Sequence, residues 1–257
     1  MIETIYHEEP NLNNVIMIEG LPGIGNIGRI AAGYLVEKLK AKLFAELYSS
    51  DFFPSVILQK DGIARLLRIE FYYYKGEKND LIIVIGDSQA STPEGYYDLS
   101  NAILDVARKF NVNLIITLGG LAREEFSGKP RVVGAVNNEK LLERFKNYEI
   151  IFDGNLVGSI VGVSGLLVGL AAIRGIDAIS LLAETTGFPI VIADPIGAEA
   201  VLRVLMNILD IKIDLSEIEK EARELEKKIK KTEEFQRRMI KEILSPKEES
   251  KEVSYIG

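Results

Sequence analysis

Short uninterrupted apolar runs alternate along this chain with segments whose apolar residues recur every three or four positions. The first pattern marks buried strands and the second amphipathic helices. "NVIMIE" (14–19), "AKLFAELYSS" (41–50), "DLIIVIGD" (80–87), "VNLIITLGG" (112–120), "RVVGAV" (131–136) and "PIVIAD" (189–194) read as strands. Residues 27–40, 95–110, 138–147 and 198–209 read as helices. Between 54 and 80, two β-rich runs flank Asp61-Gly62, a hairpin signal, and "FYYY" (71–74) is a strand with aromatic side chains on alternate faces. Strand–helix alternation predicts a three-layer α/β/α domain over 1–213 with a mixed, mainly parallel sheet, the hairpin adding antiparallel strands.

Beyond that domain the pattern changes. Over 214–244, Leu215, Ile218, Ala222, Leu225, Ile229, Thr232, Phe235, Met239 and Ile243 fall three and four apart in a heavily charged segment. This predicts a long helix with a narrow apolar stripe, capped at its start by Asp214 or Ser216. The stripe fits either the chain's own domain or a neighbouring subunit. Ser245-Pro246 stops the helix, and 245–257 is a charged, flexible tail ending Val253-Ser254-Tyr255-Ile256-Gly257.

A third segment is unusual for what it lacks. The twenty residues 154–173, "GNLVGSIVGVSGLLVGLAAI", carry no charge. Their length would permit a membrane span. Five glycines, with Asp153 before and Arg174 after, favour a soluble core helix over 159–173 in which Gly165 and Gly169 allow close approach to the sheet.

Composition narrows the chemistry. With 47% hydrophobic and 27% charged residues the chain has a substantial core. A net charge of −7 disfavours nucleic acid and anionic membrane as partners. There is no Cys, hence no disulfide or thiolate chemistry, and His7 alone makes a His-based metal site or a Ser-His-Asp triad unpromising. The acidic start lacks the apolar core of a signal peptide, which gives a cytoplasmic expectation.

"GLPGIGNIGR" (20–29) contains Gly23-x-Gly25-x-x-Gly28, the dinucleotide-binding spacing, between a strand and a helix. That fingerprint also requires an acidic residue ending the next strand. Glu46 falls inside that strand and Asp51 beyond it, while Pro22 interrupts the loop. The expectation is that the glycines serve the strand-to-helix turn and that no cofactor is bound. Polar residues at other strand ends, Asp87, Thr117, Glu184 and Asp194, suit either capping or a ligand crevice. An enzyme using the crevice near Gly25, Asp87 and Glu184 is therefore the competing reading.

Four stretches taken together, "GLPGIGNIGRIAAGYL", "LIITLGGLA", "GNLVGSIVGVSGLLVGLAAIRGIDAISLLAETTGFP" and "DPIGAEAVLRVL", resemble the proteasome assembly chaperone 2 family, particularly its archaeal members. The resemblance runs in order from about residue 15 to 209. It implies a phosphorylase-like fold, no catalysis, self-association into a homo-oligomer, and engagement of proteasome core-particle α subunits or another assembly factor. It also implies a partner-binding C-terminus, here Val253, Tyr255, Ile256 and Gly257. Family members can end in a hydrophobic–Tyr–any signature. In this chain Tyr255 stands third from the end and Ser254 occupies the hydrophobic position. One extra residue lengthens the reach to the terminal carboxylate by up to roughly 3.5 Å.

Overall fold

The structure, a computed structural model, describes residues 1–123, 129–185, 193–225 and 227. The elements run β1 (Ile2–Tyr6), β2 (Ile16–Gly20), α1 (Ile27–Leu39), β3 (Lys42–Ser49), β4 (Val56–Leu58), β5 (Ala64–Leu66), β6 (Ile69–Tyr74), β7 (Leu81–Gly86) and α2 (Pro93–Lys109). They continue β8 (Leu114–Ala122), β9 (Val132–Val136), α3 (Glu139–Phe145), α4 (Gly154–Val157), α5 (Val163–Ile173), β10 (Asp177–Thr185) and α6 (Pro195–Leu209). Eight strands form one sheet in the order β1-β3-β6-β7-β2-β8-β10-β9, and β4 pairs with β5 in a separate ribbon. Pairing is parallel across β7-β2-β8-β10 and antiparallel on both flanks. The mixed α/β/α sandwich read from the pattern is present, with its parallel part confined to the four central strands.

Those four strands are apolar on both faces because both are covered. Ile16, Ile18, Ile83, Leu114, Ile116 and Ile179 face α1 and α6, and Met17, Ile82, Val84, Ile115 and Ala178 face α2 and α5. The helix beginning at 216 extends the first of these layers: Leu215 and Ile218 are buried in it. The Tyr34 hydroxyl donates to the Asp214 carbonyl at 2.8 Å, Lys38 pairs with Glu217 and Arg203 with Glu219. The Asp214 carboxylate accepts from the Ser216 N–H at 2.9 Å and so caps this helix. Through residue 225 the stripe lies on the chain's own domain. Its continuation falls outside the described residues.

α1 owes its position to two glycines. A Cβ at Gly28 would sit 2.2 Å from the Leu118 carbonyl oxygen, and one at Gly20 would sit 2.2 Å from the Gly28 oxygen. Backbone thus meets backbone where the helix crosses β2 and β8. The uncharged stretch differs from expectation in detail. It forms a short turn, α4, a loop and then α5. Gly165 makes its close approach to the Ile160 backbone in that loop rather than to the sheet, and a Cβ on Gly169 would meet nothing within 4 Å. Gly169 is on the outer side of α5, so a larger side chain there does not overpack the core. Among the described residues no helix is long and apolar enough to cross a membrane.

A polar row crosses the apolar centre. Glu19, Thr117 and Ser180 are register partners on three adjacent parallel strands, and all are fully buried. The Glu19 carboxyl accepts from the Leu21 N–H at 3.0 Å and from the Ser164 hydroxyl at 2.9 Å. Burial pushes its pKa up to about 7, against the lowering effect of those two hydrogen bonds.

Two predictions follow from this packing. Gly28→Ala should cost roughly 1–3 kcal/mol in urea denaturation, whereas Gly169→Ala should stabilise by about 0.5–1 kcal/mol. The reverse order would contradict the backbone-contact geometry. For Glu19, both folded and unfolded chains hold the proton below the ordinary carboxyl pKa. Between there and about 7 only the folded chain holds it, so stability falls as pH rises through this window and then levels. The total loss is about 3 kcal/mol, from 1.36 kcal/mol per pKa unit. Glu19→Gln keeps both contacts without the titration, so melting curves from pH 5 to 8 should be flatter for the variant. Equal slopes would show that Glu19 is not protonated in the fold.

Candidate functional site

The crevice at the carboxyl ends of β7, β2, β8 and β10 is where an open α/β sheet binds a ligand. The glycine loop enters it from β2. Gly25 (φ 60°) and Asn26 (φ 50°) are successive left-handed residues, a conformation that favours Gly and Asn, and they turn the chain into α1. Gly23 is extended and a Cβ there would make only ordinary contact at 3.8 Å. Of the three fingerprint glycines, then, Gly25 serves the turn and Gly28 the close approach, while Gly23 has neither requirement.

The chain's own segments pack into this loop. The Gly25 carbonyl accepts from the Asp194 N–H at 2.7 Å, and a Cβ on Gly120 would lie 2.6 Å from the Ile24 oxygen. A Cβ on Gly197 would lie 2.5 Å from Ile27. Asp194 caps α6, its Oδ1 accepting from the N–H groups of Ile196 and Gly197 at 3.0 and 2.9 Å. Gln89 closes the other side. Its amide donates to the Pro22 carbonyl at 2.6 Å and its Oε1 accepts from the Val163 N–H at 3.0 Å, tying the glycine loop to the start of α5. Gly162 (φ 96°) makes room for it, since a Cβ there would lie 2.7 Å from that oxygen.

The two acidic candidates for holding a ribose, Glu46 and Asp51, are placed elsewhere. β3 follows α1 in sequence but lies three strands from β2, with β6 and β7 between them, roughly 14 Å at the usual strand spacing. Glu46 on β3 is paired with Arg68 and with His7. Asp51 instead backs the start of α2, accepting from the Thr92 hydroxyl at 3.3 Å while Thr92 caps Gly95.

Asp87 and Glu184 are not brought together. They end β7 and β10, separated by β2 and β8, again about 14 Å. Each is held by arginine. Arg65 forks onto Asp87 at 2.5 and 2.9 Å, and the Arg68 N–H donates to it at 3.1 Å. Burial raises the Asp87 pKa, but these hydrogen bonds and the Arg65 charge outweigh it and leave the group below its ordinary value. Arg131 forks onto Glu184 at 2.8 and 2.6 Å, with Arg123 at 3.6 Å. The Arg131 hydrogen bonds hold the Glu184 carboxyl below the usual range despite desolvation. Two ionised carboxylates so paired lack the split pKa values that assign acid and base roles. Among the described residues no cluster of three His, Cys, Asp or Glu is arranged to hold a metal.

Gln89 and the arginine partners escaped the sequence reading because nothing local marks them. Glu19 left a trace, as a lone acid ending an apolar strand. Most of the strand read over 189–194 and the four tail residues Val253, Tyr255, Ile256 and Gly257 lie outside the described residues.

The crystal structure of Pyrococcus furiosus PbaB, titled an archaeal proteasome activator, is 39% identical to this chain, with a TM-score of 0.85 over 90% of this chain and 98% of that one. Pyrococcus furiosus PbaA, titled an archaeal homolog of proteasome-assembly chaperone, is 29% identical, with a TM-score of 0.70 over 91% of this chain and 97% of that one. The uncharacterized protein MJ1210 of Methanocaldococcus jannaschii is 36% identical across 96% of this chain and 93% of its own length. The model of the PAC2 family matches residues 17–233. With glycine loop, sheet order and covering helices all inside that span, the chain belongs to the PAC2 family and is a proteasome assembly chaperone homologue.

Proposed function

We propose that this protein is a non-enzymatic, cytoplasmic binding protein that works as a homo-oligomer and engages proteasome core-particle α subunits or a related assembly factor. The observation that carries this reading is the likeness to PbaB along nearly the whole of both chains. The crevice supports it. Its two strand-end carboxylates are about 14 Å apart and are neutralised by arginines, and its glycine loop is packed by the chain's own backbone.

Within this reading the C-terminus is the docking element. Val253, Tyr255 and Ile256 are its apolar group, and the terminal carboxylate adds a charge that a lysine in a pocket could meet. Several tails on one oligomer would act together, and avidity lifts weak single contacts by roughly 100-fold or more. The helix predicted to reach 244 and the tail from 245 would carry that group away from the α/β domain.

The test is native mass spectrometry of the full chain with proteasome α subunits, and again with assembled core particle. A complex is expected in at least one mixture, and the choice separates an assembly role from an activating one. Tyr255→Ala, or deletion of 253–257, should leave the melting curve unchanged and weaken association at least about tenfold, since loss of a buried aromatic anchor removes a hot spot. Undiminished binding by the deletion variant would move the docking surface onto the α/β domain.

A further inference from the structure

Residues 52–67 leave the main sheet after β3 and return at β6, and the β4–β5 ribbon they form is inverted in polarity. Its register is Val56 opposite Leu66, Ile57 opposite Arg65 and Leu58 opposite Ala64. Ile57 and Arg65 share the half-buried face, where Arg65 anchors the ribbon to Asp87. Val56, Leu58, Ala64 and Leu66 share the other face and are exposed, Leu58 at 71% and Leu66 at 60%. Phe53 and Ile63 beside them are 65% and 60% exposed. A half-covered ribbon ordinarily turns polar residues to water, and a two-stranded ribbon is marginal on its own. Here the outward face is the apolar one.

We propose that this ribbon is a dimerisation arm: a second copy of the chain covers it with its own β4–β5 arm about a two-fold axis. The inference rests on the homo-oligomer reading and names the surface through which copies meet. Three observations favour a second copy as the occupant. First, the patch contains both a projection and a recess. Beside the arm lies a groove of about 580 Å³ lined by Met1, Tyr48, Phe52, Phe53, Pro54 and Leu67 among others. Leu58, near the turn, projects from the same face. A two-fold contact needs this combination, because residue i of one copy meets residue j of the other and the reverse.

Second, the patch is electrically balanced. Lys60 and Asp61 adjoin in the turn, Arg65 is neutralised by Asp87, and the groove itself presents one ammonium, Met1, and one carboxylate, Glu3, although the whole chain carries −7. Two identical acidic molecules can close only where neither presents an excess of one sign. Third, the area suffices. Five large apolar side chains more than half exposed offer on the order of 500 Å² per copy. A symmetric contact thus buries about 1,000 Å² in total, the threshold of a specific interface.

The experiment compares native mass and sedimentation of the full chain with those of Leu58→Glu and Leu66→Glu. Both positions are exposed in the single chain, so the variants should keep the parent fold, read as an unchanged far-UV circular dichroism spectrum, with a melting temperature lowered only by the lost association. Each new carboxylate would be desolvated in the apolar contact between the copies, and self-association should weaken at least about 100-fold. Leu58→Cys gives an independent readout, since the chain has no other cysteine. At low concentration a short bis-maleimide should join Leu58→Cys chains in pairs and leave Lys140→Cys, on α3 at the opposite edge of the sheet, unjoined. An oligomeric parent whose Glu variants keep its mass and whose Leu58→Cys chains stay unjoined overturns the arm while leaving the homo-oligomer reading intact. A monomeric parent overturns both.

Discussion

The contact of α1 with the sheet is made backbone to backbone, and most of the molecule is arranged around it. With no side chain at Gly28 or Gly20, the helix settles onto the ends of β2 and β8. That depth brings Ile24 against Gly120 near the end of β8 and Ile27 against Gly197 in the first turn of α6. Interiors this dense transmit even a methyl group. The same contact explains why a sequence with a nucleotide-binding spacing need not hold a nucleotide. In a dinucleotide fold one glycine of the motif lets pyrophosphate approach the backbone. Here the close approaches around the loop are made by the chain's own carbonyls and side chains.

Much of this was legible in the sequence. Covered strands such as β7 and β8 are continuous apolar runs, and apolar periodicity places α2 and α6 at 95–110 and 198–209, a little inside their observed starts at Pro93 and Pro195. What was not legible is long-range. β1 is a short edge strand of five residues, and its half-buried alternation is too brief a signal to mark it in the sequence. That β3 lies beyond β6 and β7 follows from chain reversals no local pattern encodes. Gln89 contacts residues 67 and 74 positions away and carries no local signature. The role assigned to Gly169 failed for a related reason: spacing places it on α5 but does not say which side of α5 faces solvent. Placement of the tail residues from 253 onward is a proposal from the resemblance alone.

The strand-end carboxylates of the crevice are tied up in ion pairs. Asp87 and Glu184, which would be the reacting groups of an enzyme, are employed in tying the ribbon and the start of β9 to strand ends. Asp87 in particular fixes Arg65, and through it the outward apolar face of the arm. Glu19 lies beneath the crevice floor and fastens α5 to β2 through Ser164. The crevice carboxylates thus serve as fastenings, while the ribbon and the residues flanking it carry five exposed large apolar side chains, Phe53, Val56, Leu58, Ile63 and Leu66.

The most direct measurement of this division is hydrogen–deuterium exchange of the full chain with and without proteasome α subunits. The expected result is new protection confined to the peptide containing 253–257, with the crevice loops at 20–26, 87–92 and 193–197 unchanged. New protection at those loops, with the C-terminal peptide exchanging as before, would contradict it and return the function to the crevice.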